Sequence, residues 1–142
     1  MFFVAWEAIV PYDSTWWERV YSNRRRIYIA SRFRNKALVC SAGKILQNQG
    51  LIPVHSWTQE TSATSRLQNA LRDIHEIDEA DAVLVLTEGC ETVPGGMHFE
   101  AGYALGRKKR VAVVGPLVHI FYDLTVVEKY ATIEDAAVGL SS

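Results

Sequence analysis

The chain has 142 residues, 49% of them apolar and 22% charged, the proportions of one globular domain with volume enough for a buried core. A formal net charge of −1 argues against an electrostatically driven nucleic-acid binder, and two cysteines, Cys40 and Cys90, are too few for a disulfide framework. The apolar run from Met1 to Val10, broken by Glu7, has no basic leader and is too short to span a bilayer; the expectation is a cytoplasmic protein without a membrane partner.

Residues 1 to 25 stand outside the pattern that follows. They carry Trp6, Trp16 and Trp17, a turn-like Tyr21-Ser22-Asn23 and the arginines Arg24 to Arg26. They read as an N-terminal extension: a docked segment, an oligomer contact, or sequence upstream of a domain spanning 26 to 142. From Ile27 the alternation is regular. Ile27 to Ala30 is a buried strand, and a helix follows from about Asn35 to Gln49. Leu38, Ala42, Ile45 and Leu46 share its apolar face, Cys40 is a small core residue, and Gly50 supplies the C-terminal cap. Leu51 to His55 is a second strand. A polar loop with Trp57 leads into a helix from about Ser62 to Glu76, apolar at Leu67, Ala70, Leu71, Ile74 and Ile77. Asp81 to Thr87 is a third strand, followed by a Gly-Gly turn and a helix from about Gly96 to Arg107. Arg110 to Val114 is a fourth strand and Val126 to Tyr130 a fifth. Thr132 and Asp135 have capping-box spacing for a last helix ending near Leu140.

Strands alternating with helices at this spacing predict an α/β fold, a single-domain Rossmann- or flavodoxin-like three-layer sandwich with a parallel sheet in the order 2-1-3-4-5. That order opens a crevice between the carboxyl ends of the first and third strands. The turn after the first strand carries Ser31, Arg32, Phe33 and Arg34. The turn after the third carries Gly95 and Gly96 and leads to Met97 and Glu100. Wound at 3.6 residues per turn, this helix puts Met97, Ala101, Ala104 and Leu105 on one face, with Phe99 and Tyr103 on its shoulder. Glu100 falls inside the apolar arc. A carboxylate there is costly unless paired or used, and the helix N-terminus is expected to help keep it ionised. The plainer alternative is a first-turn glutamate placed for the dipole alone.

The stretch PGGMHFEAGYALGRKKRVAVVG resembles the signature of the nucleoside 2-deoxyribosyltransferase family, with IYIASRF, DIHEIDEADAVLVL and VGPLVHIFYDLTVVEKYATIEDAAVGL similar to its other segments in the same order. The resemblance runs from about Ile27 to the end and is to the shorter bacterial and phage-type members. It implies that Glu100 is the nucleophile toward the anomeric carbon, that Tyr28 orients it, and that Asp73 contacts sugar and base. It also implies a small-molecule deoxynucleoside or deoxynucleotide as partner, no metal or organic cofactor, and a homo-oligomer, dimer or higher. Where long-chain members have a further carboxylate six residues before the nucleophile, this chain has Pro94; Glu88 and Glu91 are out of register, and Asp73 is left as the leading proton donor.

Without the resemblance, Asp73 reads as structural and Tyr28 as a core aromatic. Asp78 and Asp81 read as local backbone acceptors. His98 reads as a surface residue, Arg107 to Arg110 as a basic run suited to a helix C-terminus, and Cys90 as an exposed thiol without a base. Arg32 and Arg34 are either solvated or hold a 5′-phosphate, a contact that suits a guanidinium fork. Three functional expectations follow. The first is a transferase moving deoxyribose between bases. The second is a 2′-deoxynucleoside 5′-monophosphate N-hydrolase using the same glutamate with water. The third is a non-catalytic nucleotide-binding module.

Overall fold

A computed structural model describes residues 24–61, 63–89 and 95–142. Most of the N-terminal extension, Cys90 and Pro94 lie outside the described residues. Five parallel strands, β1 (Arg26–Ser31), β2 (Ile52–Val54), β3 (Ala82–Leu86), β4 (Arg110–Val114) and β5 (Glu128–Tyr130), form one sheet in the order β2-β1-β3-β4-β5. The order is the one the alternation predicts. Tyr28 pairs in register with Val54 on one side and Val83 on the other, and Val83 with Val111. The middle of the sheet is covered on both sides: all of β3, all of β1 but Arg26, and the central three residues of β4 are buried, which is why these strands read as apolar runs.

Four α helices cover it: α1 (Lys36–Asn48), α2 (Arg66–Glu79), α3 (Gly96–Gly106) and α4 (Ile133–Leu140). Crossover to β2 runs one way across the sheet and crossovers to β3 and β4 run the other. Right-handed connections therefore put α1 on one face and α2 and α3 on the opposite face. The helix contacts agree, with α1 against α4 and α2 against α3. Among the described residues, no helix is long and apolar enough to cross a membrane.

Several element ends move. A 3-10 turn over Phe33–Asn35 precedes α1, and Cys40 is half-buried where a core position was expected. Gly50 follows α1 with a φ of +76°, the left-handed geometry glycine adopts without a steric penalty. The strands expected over 51–55 and 126–130 are shorter, Ile52–Val54 and Glu128–Tyr130. Thr132 Oγ1 accepts from the Asp135 amide at 3.1 Å, starting α4 as its spacing suggests.

The larger correction concerns α2. It starts at Arg66, where Ser65 and Gln68 complete a reciprocal capping box, and ends at Glu79. Of its five expected apolar contacts only Ile77 is buried; Leu67 and Leu71 are 68% and 61% exposed. Asn69 apart, the residues before Arg72 are exposed, so the C-terminal half of the helix packs against the sheet and most of the N-terminal half stands clear. That geometry brings Asp73 and Glu76 toward the protein interior.

Candidate active site

The carboxyl ends of β1 and β3 are tied together by Ser31, whose buried hydroxyl donates to the Leu86 carbonyl at 2.7 Å. Asn35 Nδ2 donates to Ser31 Oγ and to the Glu88 carbonyl, both at 2.9 Å, and Arg32 Nε donates to Asn35 Oδ1 at 3.0 Å. The turn after β1 is thus held against the segment that leaves β3. Above this seam lies a cavity of about 360 Å³, a size suited to a small ligand. Ser31, Arg32 and Phe33 line it from one side, and Gly95, Gly96, Met97 and Glu100 from the start of α3. Asp73 enters from α2. Arg34 is exposed and does not line the cavity: Arg32, tethered to Asn35, turns inward, while Arg34 points to solvent from the 3-10 turn.

Two lining residues have no counterpart among the sequence expectations. Trp57 and Glu60 come from the segment that follows β2, with Trp57 in a 3-10 turn over Ser56–Gln59. Trp57 is buried, and its indole N–H donates to the Ile29 carbonyl at 2.8 Å, which anchors that segment to β1. Its ring meets Phe33 at 6.4 Å between centroids, a tilted aromatic pair on the cavity wall. The carboxyl end of every strand in a doubly wound sheet points toward the crevice, so the loop after β2 was the place to look.

Glu100 is the fifth residue of α3, beyond the first turn, and no acidic residue occupies that turn. The side chain is turned inward, where it accepts a hydrogen bond from the Tyr28 hydroxyl. The helix end, expected to help keep it ionised, is set against the cost of burial. Removal from water pushes the carboxyl up to about 7; the Tyr28 hydroxyl pulls the other way, and the nearby charges of Asp73, Glu60 and Glu76 push it further up. A macrodipole fades within a turn and cannot offset that. The Tyr28 phenol is raised as well, first by burial and then by Glu100, so it remains a donor at all ordinary pH values. Asp73 is also held above the ordinary aspartate range: burial raises it, and Arg72 beside it opposes only part of the rise.

Two results are expected from this arrangement. Glu100 binds its proton more tightly folded than unfolded, so it stabilises the protein at low pH, and that stabilisation is lost as pH rises toward 7. Glu100→Gln removes the cost of the buried charge, so it raises Tm at pH 8 relative to the parent but not at pH 5, a difference on the order of 2 kcal/mol. Calorimetry at the two pH values checks it, and an equal effect at both would refute it. Tyr28→Phe removes the donor that favours the carboxylate and raises the Glu100 midpoint by about one pH unit; a carboxyl-detected NMR titration reads it directly.

A second cavity of about 560 Å³ lies along the opposite side of α3, lined by His98, Phe99, Leu105, His119, Phe121 and Tyr122 among others. His98 is half-buried, a correction to its expected place at the surface: its Nδ1 is hydrogen-bonded to the Tyr122 hydroxyl at 2.7 Å. Burial and the neighbouring His119 lower its pKa. This cavity is larger, yet among the described residues no carboxylate lines it. The acids and the buried phenol are gathered at the smaller one. Among the described residues, no group of three or more His, Cys, Asp or Glu is placed to hold a metal ion.

No protein-family model matches the sequence, and no curated protein matches it. Solved structures do match in shape. A 2-deoxyribosyltransferase from Bacillus psychrosaccharolyticus superposes with a TM-score of 0.66 at 18% identity, over 79% of this chain and 90% of that one. The CMP N-glycosidase of Clostridium botulinum gives a TM-score of 0.58 at 17% identity, over 82% of this chain and 98% of that one. A 2-deoxyribosyltransferase of Leishmania mexicana gives 0.54 at 20% identity, over 63% of each chain. The fold is that of a 2-deoxyribosyltransferase. In this deoxyribosyltransferase fold the cavity with Glu100 sits at the reversal of strand order between β1 and β3, the usual ligand position of an open parallel sheet.

Proposed function

We propose that this chain is an enzyme that breaks the N-glycosidic bond of a 2′-deoxynucleoside, holds the sugar on Glu100, and passes it to a second base. The observation that carries the reading is the inward-facing Glu100, bonded to Tyr28 at the edge of a cavity that Asp73 also lines. The shared fold supports it, since the superposed proteins are deoxyribosyltransferases and an N-glycosidase.

The chemistry follows from the charges. A Glu100 oxygen attacks C1′ as the C1′–N bond breaks; the electron pair goes to the base nitrogen, which takes the proton of Asp73. The product is an ester between the sugar and Glu100. A nitrogen of the incoming base then attacks C1′, frees the Glu100 carboxylate and gives its proton to Asp73. Two displacements at one carbon give net retention. Attack requires the form in which Glu100 is ionised and Asp73 holds the donor proton, a form that competes with the one in which buried Glu100 keeps it. Phe33 and Trp57 offer apolar ring surface for the flat base, while Ser31 and Arg32 are the polar groups on the β1 side.

Arg32 favours one second reading: a 5′-monophosphate held by its guanidinium, with water as the acceptor in place of a base. Deoxynucleosides and their 5′-monophosphates, each incubated with and without a free acceptor base, separate the readings. Base exchange that depends on the acceptor is the expected result. Free base released from the monophosphate alone replaces transfer with hydrolysis. Ligand binding without turnover in any arm would leave a binding module.

A further inference from the structure

Behind the cavity wall stands a side chain that does not line it. Arg72 Nη2 donates to Glu60 Oε1 at 2.6 Å and to Asp73 Oδ1 at 2.9 Å, and Nε reaches the same Oδ1 at 3.3 Å. Successive residues of a helix do not face each other, so Arg72 and Asp73 do not meet by default. The guanidinium has folded back over its neighbour, toward Glu60 on the segment after β2. Every described bond to Asp73 falls on Oδ1, which leaves Oδ2 uncommitted among the described residues. A second tie joins the same two pieces of chain, because the Ser56 hydroxyl donates to Glu76, one turn beyond Asp73 on α2.

This is unlike an ordinary surface ion pair, whose members are mobile and screened. Glu60 and Asp73 are only 23% and 21% exposed, and Arg72 30%. Both carboxylates line the cavity that holds Glu100, and one cation serves the two of them. We propose that Arg72 is a positioning residue for the glycosidic chemistry: it fixes the Asp73 carboxyl by one oxygen, ties the Trp57–Glu60 wall to α2, and stabilises the carboxylate that Asp73 becomes on giving up its proton. The inference rests on the reading of Asp73 as proton donor.

The charge accounting is local. Asp73 faces Arg72 and Glu76 on its own helix and Glu60 from the segment after β2; Glu100 on α3 and Tyr28 on β1 are coupled to it in turn. Burial holds its proton on and Arg72 draws it off. An aspartate beside an arginine typically titrates lower by one pH unit or more. Arg72→Gln therefore moves the Asp73 midpoint upward by about that much. Glu60→Gln removes a neighbouring negative charge and a competitor for the guanidinium, and moves the midpoint downward.

The test reads two quantities on the full-length protein. Carboxyl-detected NMR of carbon-13-labelled aspartate follows Asp73 without ligand, and the pH profile of kcat follows turnover of deoxynucleosides. Arg72→Gln is expected to shift the Asp73 midpoint and the alkaline limb of kcat upward together, with kcat at its optimum reduced roughly tenfold or more. Arg72→Lys restores the charge but not the fork, so the midpoint returns while kcat recovers only in part. An unmoved midpoint in both Arg72→Gln and Glu60→Gln overturns the proposal, as does a shifted midpoint with kcat unchanged. Should Arg72→Gln fail to fold, Glu60→Gln alone still decides, through the downward shift. Absence of turnover in the parent protein rejects the enzymatic reading instead, and the NMR arm then still reports on the clamp.

Discussion

On the proposed mechanism, Glu100→Gln is expected to lower deoxynucleoside turnover by a factor on the order of 10⁴ or more, the scale seen when a covalent nucleophile is removed. Glutamine has nearly the shape of glutamate, and its amide oxygen still accepts from the Tyr28 hydroxyl, so the cavity around it is retained. What is lost is the oxygen proposed to bond to C1′. The loss therefore falls on kcat, with substrate binding close to that of the parent. Steady-state kinetics measures the drop, and the parent quenched with a slow 2-fluoro-deoxynucleoside supplies the positive control. Intact-mass analysis is expected to show one sugar adduct, located on Glu100 after digestion. A Glu100→Gln protein that turns over at the parental rate, or an adduct on another residue, ends the case for this nucleophile.

Asp73→Asn is expected to have the second large effect, a loss of about 10² to 10⁴ in kcat that depends on the departing base if Asp73 is the proposed proton donor. Asparagine cannot give up a proton at the pH of the reaction. An ordinary base leaves poorly as its anion, so the cost is high. A 7-methylated purine already carries positive charge and departs without being protonated, so with that substrate the variant runs near the parental rate. The ratio between the two substrates is the measurement. Equal losses on both would assign Asp73 to binding or to shaping the cavity and not to proton transfer. Because burial raises the Asp73 carboxyl, its protonated form survives to higher pH than that of a surface aspartate, and the variant is expected to lose that alkaline limb.

Much of this architecture is legible in the sequence. β3 and β4 are short apolar runs bounded by polar residues, and the spacing of helices between strands left few topologies open. The placement of Glu100 could be read from helix winding, because Met97, Ala101 and Ala104 define a buried face and the angle between residues sets the rest. Its protonation could not be read that way. The sequence suggested a helix-end carboxylate; the structure has an acid pushed to about 7 by burial and by three neighbours distant in the chain. Leu67 and Leu71 misled for a related reason. Their periodicity is helical, but periodicity does not say which half of a helix rests on the sheet.

Trp57, Glu60 and Arg72 mark the limit most clearly. Trp57 sits in a polar loop, Glu60 resembles any solvated acid, and Arg72 precedes an aspartate it would not normally face. Their meeting depends on how the segment after β2 returns across the end of β1, a path held by the Trp57 bond to Ile29. By itself the sequence determined the layered fold, the strand order and the inward glutamate, because these follow from local periodicity and the handedness of crossovers. Only the tertiary structure decided the company Glu100 keeps and the upward push on its carboxyl, because burial and through-space electrostatics depend on distance in the folded molecule and not on distance along the chain.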